Sequence, residues 1–260
     1  MRTAPALFVS HGAPTFALEP GEAGPKLRAL GERLAGLSAV LVLSPHWMTA
    51  GLRVMAHAAP PTLHDFGGFD PALNQLRYPA PGDPALAADV VSRLREAGFA
   101  AELDPVRGLD HGAWVPLLHL LPRAQVPVLQ VSLPQAMDTR GALRLGEALA
   151  PLRERGVLIV GSGSLTHNLY EVFRGEAVDG AYAQAFARWV RDAVRRRDVE
   201  SLLDYRRLAP QSERAHPTEE HYLPLLVAYG ASRADDSLAI IDGGMTYGVL
   251  SMDGFLWGEA

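Results

Sequence analysis

Uninterrupted apolar runs of strand length constrain this chain more than any other feature. The runs Ala6-Leu7-Phe8-Val9, Ala39-Val40-Leu41-Val42-Leu43 and Val157-Leu158-Ile159-Val160 place apolar side chains on both faces of an extended backbone. Such strands belong inside a sheet covered on both sides, which is the environment of a parallel α/β sheet. Further strand-like segments fall at 126–133 and 238–242, with a late strand expected at 246–251. Helical periodicity fills several of the intervals. Asp83-Pro84 supplies an N-cap followed by a first-turn proline, and Gly98 a stop. Asp138 opens a helix expected to run through Leu152. Another is expected from Ala181 to Arg197, with Phe186, Trp189 and Val190 facing inward. The expected fold class is α/β, a single domain over residues 1–260 with a largely parallel central sheet and helices on both faces.

The residues just past these runs bear on function. Ser10 ends the first and His11 comes next; Ser44-Pro45 ends the second, with His46 directly after. After the third, Gly161-Ser162-Gly163-Ser164 reads as a turn, with His167 just beyond. Open α/β sheets bind ligands in the crevice past the carboxyl ends of their strands. Imidazole is the commonest metal ligand among side chains, so histidines at three such ends point to a metalloenzyme.

Composition removes other classes. A formal charge of −5 argues against a general nucleic-acid binder, which needs a basic field. The absence of cysteine excludes disulfides, thiolate metal sites and a cysteine nucleophile. No apolar run is long enough to span a bilayer, and Met1 to Pro5 lacks the pattern of a signal peptide, so a cytoplasmic protein is expected. Nothing in the sequence sets an oligomeric state.

The other histidines divide by context. His57, after a short strand at 53–56, and His119, inside Leu117-Leu118-His119-Leu120-Leu121, are expected to be structural. His64-Asp65-Phe66-Gly67-Gly68-Phe69 and Leu109-Asp110-His111-Gly112-Ala113-Trp114 combine imidazole, glycine and aromatics, as a pocket for a flat ring does. The first lies in a long Pro/Gly-rich loop, Ala58 to Asp83, and long loops within compact domains are usually functional. In His216-Pro217-Thr218-Glu219-Glu220-His221, Thr218 is expected to cap a helix through Leu226, with His221 on its first turn. Residues five apart do not share a helix face, so one histidine is expected at the metal and the other at substrate. The Gly/Ser run lacks the lysine of a P-loop, and the His-Glu-x-x-His order of zinc proteases is absent.

Taken together, several segments resemble one known family. They are Ser10-His11-Gly12-Ala13-Pro14, Ser44-Pro45-His46-Trp47, the His64 and His111 segments above, Tyr78-Pro79-Ala80-Pro81-Gly82, Gly161 to Leu169, and His216 to Leu225. In this order they resemble the DOPA-dioxygenase-type branch of the class III extradiol ring-cleavage dioxygenases. The resemblance implies a non-haem metal, ferrous iron for activity, with a small catechol such as DOPA and dioxygen as reactants. It implies that His11, His46 and His221 hold the metal. His167 would serve as acid/base or as a fourth ligand, and His64, His111 and His216 would line the substrate pocket. The wider class completes its facial triad with a carboxylate; the resemblance implies that His221 takes that place here, and an all-imidazole set also suits zinc in the isolated protein. Two other readings stand beside this one. A zinc hydrolase would use Glu219 or Glu220 as base, and a non-catalytic binding module would keep only the fold.

Overall fold

The computed structural model describes residues 3–172 and 179–260. Its eight-stranded sheet runs in the order β4-β3-β5-β2-β6-β1-β10-β7. The strands are β1 (Ala6–Ser10), β2 (Ala39–Thr49), β3 (Leu52–Met55), β4 (Ala101–Asp104), β5 (Val128–Pro134), β6 (Val157–Gly163), β7 (Leu238–Ile241) and β10 (Gly254–Trp257). A separate hairpin pairs β8 (Met245–Thr246) with β9 (Leu250–Ser251). The four central strands, β5, β2, β6 and β1, are mutually parallel. Beside them β3 and β10 run antiparallel to their inner neighbours. The sheet is therefore largely parallel, as expected, with mixed edges.

Alternation along the central strands splits the core in two. Ala6, Phe8, Leu41, Leu43, Leu129, Val131 and Ile159 bury on one face. Leu7, Val9, Val40, Val42, Val128, Leu158 and Val160 bury on the other. The helices are α1 (Ala23–Arg33), α2 (Pro84–Glu96), α3 (His111–Leu120), α4 (Thr139–Leu149), α5 (Leu169–Val172), α6 (Ala181–Arg195), α7 (Val199–Leu203), α8 (Tyr205–Leu208), α9 (Ser212–Ala215) and α10 (Leu223–Gly230). Side chains of α2, α4, α6 and α10 join the first core, and those of α1 and α3 the second. Asp83 and Asp138 cap α2 and α4, each accepting a backbone N–H three residues on.

Several local expectations are corrected. β6 continues through Gly161-Ser162-Gly163, so that run is strand rather than turn. β2 likewise runs on past Leu43 to Thr49, carrying His46 inside the strand. The late 246–251 strand is the short β8–β9 hairpin, while β10, which completes the sheet, comes after it. α4 gives way at Ala150 to a 3₁₀ segment, Ala150–Arg155. α10 begins at Leu223, with Pro224 in its first turn. Thr218 does not cap it but donates to the Glu220 carboxylate at 2.9 Å.

Candidate metal centre

Three local devices bring His11, His46 and His221 together at the carboxyl ends of the central strands. His11 N donates to Gly163 O at 2.9 Å, tying the end of β1 to β6. Gly12 then turns the chain at φ +61°, a conformation that side chains with a Cβ rarely adopt, so glycine is favoured there. His46 falls where the β2–β5 register shifts, between Leu43 and Met48. Such irregularities re-aim side chains beside active sites. His221 lies in the turn before α10, anchored by Ser164 N donating to its carbonyl at 3.0 Å. Gly163 permits that approach, since a Cβ on it would lie 2.3 Å from the same oxygen.

Hydrogen bonding then settles which ring nitrogens face inward. Ser162 Oγ donates to Gly112 O, so it accepts from His11 Nδ1 at 3.0 Å. Glu220 Oε1 accepts from His221 Nδ1 at 2.9 Å. In both rings the proton sits on Nδ1 and the lone pair on Nε2. His11 Nε2 lies 3.0 Å from His46 Nε2. His221 Nε2 is buried without a hydrogen-bond partner among the described residues. The ligating nitrogens of the three lie within 4.8 Å of one another. An unsatisfied buried acceptor costs about 1–3 kcal/mol, and a cation among these nitrogens removes that cost. The donor set fits a metal ion.

Electrostatics agrees. Burial, and then the neighbouring imidazoles, push His11 and His221 well below the ordinary imidazole range. Burial, with His111 next in weight, takes His46 down to about 3. All three are neutral near pH 7, the form that ligates metal.

Two more imidazoles flank this trio. His167 stacks on His221 with centroids 3.4 Å apart and planes within 10°. Its backbone N donates to Ala215 O at 2.7 Å, and burial lowers its pKa to about 4. On the other side His111, the first residue of α3, lies 3.8 Å from the His46 ring. Asp110 caps that helix by accepting from Ala113 N. A cavity of about 320 Å³ opens over the site, walled by His111, His167, Asp65, Phe66, Phe69 and Tyr247 among others. That is near the lower end of ligand pockets, about 300–1,000 Å³, and suits one aromatic ring with a short substituent.

His64 and His216 stand behind the cavity rather than on its wall, in contrast to the expectation that they meet substrate. His64 donates to Leu76 O at 3.0 Å and packs edge-on against Phe66 and Trp114. His216 is fully buried, donates to Leu165 O at 3.0 Å, and sits among Phe186, Tyr205 and Tyr222. His216 spends its donor on a main-chain carbonyl within apolar packing, while His64 does so beside the Arg77 guanidinium, whose Nη1 lies 3.3 Å from the same nitrogen. His119 donates to Phe16 O and His57 accepts from Ala59 N, both structural as expected. Both glutamates offered to a hydrolase are engaged at Oε1. Glu219 accepts from Tyr205 and Arg206, and Glu220 from Thr218 and His221. Sequence reasoning did not pair Ser162 with His11 or Glu220 with His221. Glu220 was signalled by its place beside His221, whereas nothing in the sequence marked Ser162 as a partner of His11.

Neutral histidines clustered at the carboxyl ends of the central strands, under an aromatic-walled cavity, are the donor set of a metal-dependent enzyme. The particular family is evident from sequence. Residues 5–248 match the family described as the catalytic LigB subunit of aromatic ring-opening dioxygenase, and the chain belongs to that family. It is an extradiol, non-haem metal-dependent ring-cleavage enzyme. It is 39% identical to a 4,5-DOPA dioxygenase extradiol of Beta vulgaris, over 93% of each chain. It is 37% identical to one of Escherichia coli K12, covering 95% of this chain and 92% of that one. A crystal structure of an uncharacterized Escherichia coli K12 protein superposes with a TM-score of 0.82 at 32% identity, covering 98% of this chain and all of that one. Among the described residues no helix is long and apolar enough to cross a membrane.

Proposed function

We propose that this chain, as one catalytic domain, opens the ring of DOPA or a closely related small catechol, using ferrous iron held by His11, His46 and His221. The observation that carries the reading is the tautomer pattern. Ser162 and Glu220 hold the Nδ1 protons of His11 and His221, leaving Nε2 lone pairs inside the cluster. When bound, the metal would draw catechol and dioxygen together and acidify the catechol hydroxyls.

The chain's own groups supply the rest. His167, neutral near pH 7 and beside His221, takes a phenolic proton and later returns it. His111 meets the substrate from the His46 side. Phe66 and Phe69 give the ring an apolar wall that limits water. Zinc fits the same imidazoles and would occupy the isolated protein without supporting oxygen chemistry. Ferrous iron persists in a reducing interior, so we assign the enzyme to the cytoplasm. The test is anaerobic iron loading, then oxygen and a panel of catechols. A yellow ring-opened product with matching oxygen uptake is expected. Oxygen-independent ester or amide cleavage, with no uptake on any catechol, would overturn the reading.

A further inference from the structure

We propose that Asp65 is a positioning residue for ring cleavage that acts through His111, holding the proton on Nδ1 so that Nε2 is the atom offered to substrate. Asp65 lies on the cavity wall, in the long loop between β3 and α2, with its side chain 26% exposed. One oxygen, Oδ1, accepts from the backbone N of His111 at 3.0 Å and stands 3.1 Å from Nδ1 of the same residue. The ring contact is within reach but off the N–H direction, and Nδ1 is buried with no aligned partner among the described residues. A carboxylate only accepts, so a nitrogen facing it is the protonated one. The His111 ring lies between His46, at 3.8 Å, and Phe66, at 5.7 Å, where a bound catechol would meet it. Across the cluster, Glu220 accepts an aligned hydrogen bond from His221 Nδ1 at 2.9 Å, where Asp65 makes only a close contact with His111 Nδ1. Each flank of the site thus carries a carboxylate oxygen beside an imidazole Nδ1.

This inference rests on the reading that His111 meets the catechol, and the experiment separates the two. Asp65→Ala, Asp65→Asn, His111→Gln and the Asp65→Ala/His111→Gln double variant are compared as iron-loaded enzymes of equal metal content. Asp65→Ala is expected to lower kcat about 10–100-fold, the range for losing such a support. Asp65→Asn should recover part of that, because its amide oxygen can accept from the same N–H groups. In the His111→Gln background, Asp65→Ala should cost less than about twofold more, since its route is already gone. Nitrogen-15 NMR of the zinc-loaded protein should show His111 protonated on Nδ1, and a shift toward Nε2–H in Asp65→Ala. Fully additive losses in the double variant, or an unchanged tautomer in Asp65→Ala, would overturn the inference. Undiminished turnover in His111→Gln would remove the parent reading, and this one with it.

Discussion

Replacing Gly163 with alanine tests whether the packing of β6 against the start of α10 sets the metal centre. A Cβ at Gly163 would stand 2.3 Å from His221 O, with Pro224 Cγ at 3.2 Å and Phe8 Cε2 at 3.3 Å. Real Cβ contacts essentially never fall below 3.0 Å, so strand and turn must part by about 0.7 Å. Metal–ligand distances tolerate only about 0.2 Å. Because Ser164 N holds His221 O, the shift falls on the residue that carries the ligand. We expect metal affinity to weaken about 10–100-fold, as when a ligand's support is lost. The added methyl should cost about 1–3 kcal/mol of stability. At about 2–4 °C per kcal/mol, that is a fall of about 2–12 °C in the apoprotein Tm. Gly146→Ala is the control, because its Cβ would lie 2.1 Å from Val227 O, on α10 away from the site. It should lower Tm similarly and leave metal affinity within about threefold. The assay is zinc competition with a chelator on apoprotein, alongside calorimetry. Wild-type affinity in Gly163→Ala with a lowered Tm, or equal weakening in both variants, would refute the reasoning.

Three further outcomes are expected. His167→Ala should keep its iron while ring cleavage falls about 10²–10⁴-fold in single turnover; loss of iron instead would make His167 a fourth ligand. Glu220→Ala, which removes the acceptor, should weaken metal binding about 10–100-fold by releasing the His221 tautomer, measured by chelator competition, and unchanged affinity would show the pair to be incidental. Away from the site, Arg153 is 1% exposed and donates twice to Asp236, at 2.7 and 3.0 Å. Burial alone would raise the Asp236 carboxyl, but the bonds from Arg153 and Arg233 outweigh it and hold the pKa below its ordinary value. A depressed carboxylate stabilises the fold above its unfolded pKa, about 3.9, and that contribution is lost as pH falls through the folded pKa. Asp236→Asn should therefore lower Tm near neutrality, with the gap from wild type closing in acid; a gap independent of pH would contradict this.

Local chemistry makes the sheet legible in the sequence. Runs such as Ala39 to Leu43 bury on both faces wherever they lie, so their apolar content alone requires an interior parallel strand. The Asp83 and Asp138 caps are also local, because each serves an N–H three residues away. The same logic pointed to His11, since strand ends in an open sheet face the crevice, whereas His46 lies inside β2 and is aimed there by the register shift. Tertiary structure decided what local pattern leaves open. Gly161-Ser162-Gly163 looks like a turn by composition, yet it is strand because α10 packs onto it: a Cβ at Gly161 would stand 1.9 Å from Pro224 O. His64, His111 and His216 sit in similarly polar, loop-like sequence, but only His111 reaches the cavity. What separates them is which carbonyl or aromatic side chain the fold brings against each ring, through contacts 12 to 51 residues distant for His64 and His216. Ser162 and His11 are 151 residues apart, and no spacing rule pairs them. A hydrogen bond across two parallel strands exists only once the sheet order is set, and that order is a property of the whole chain.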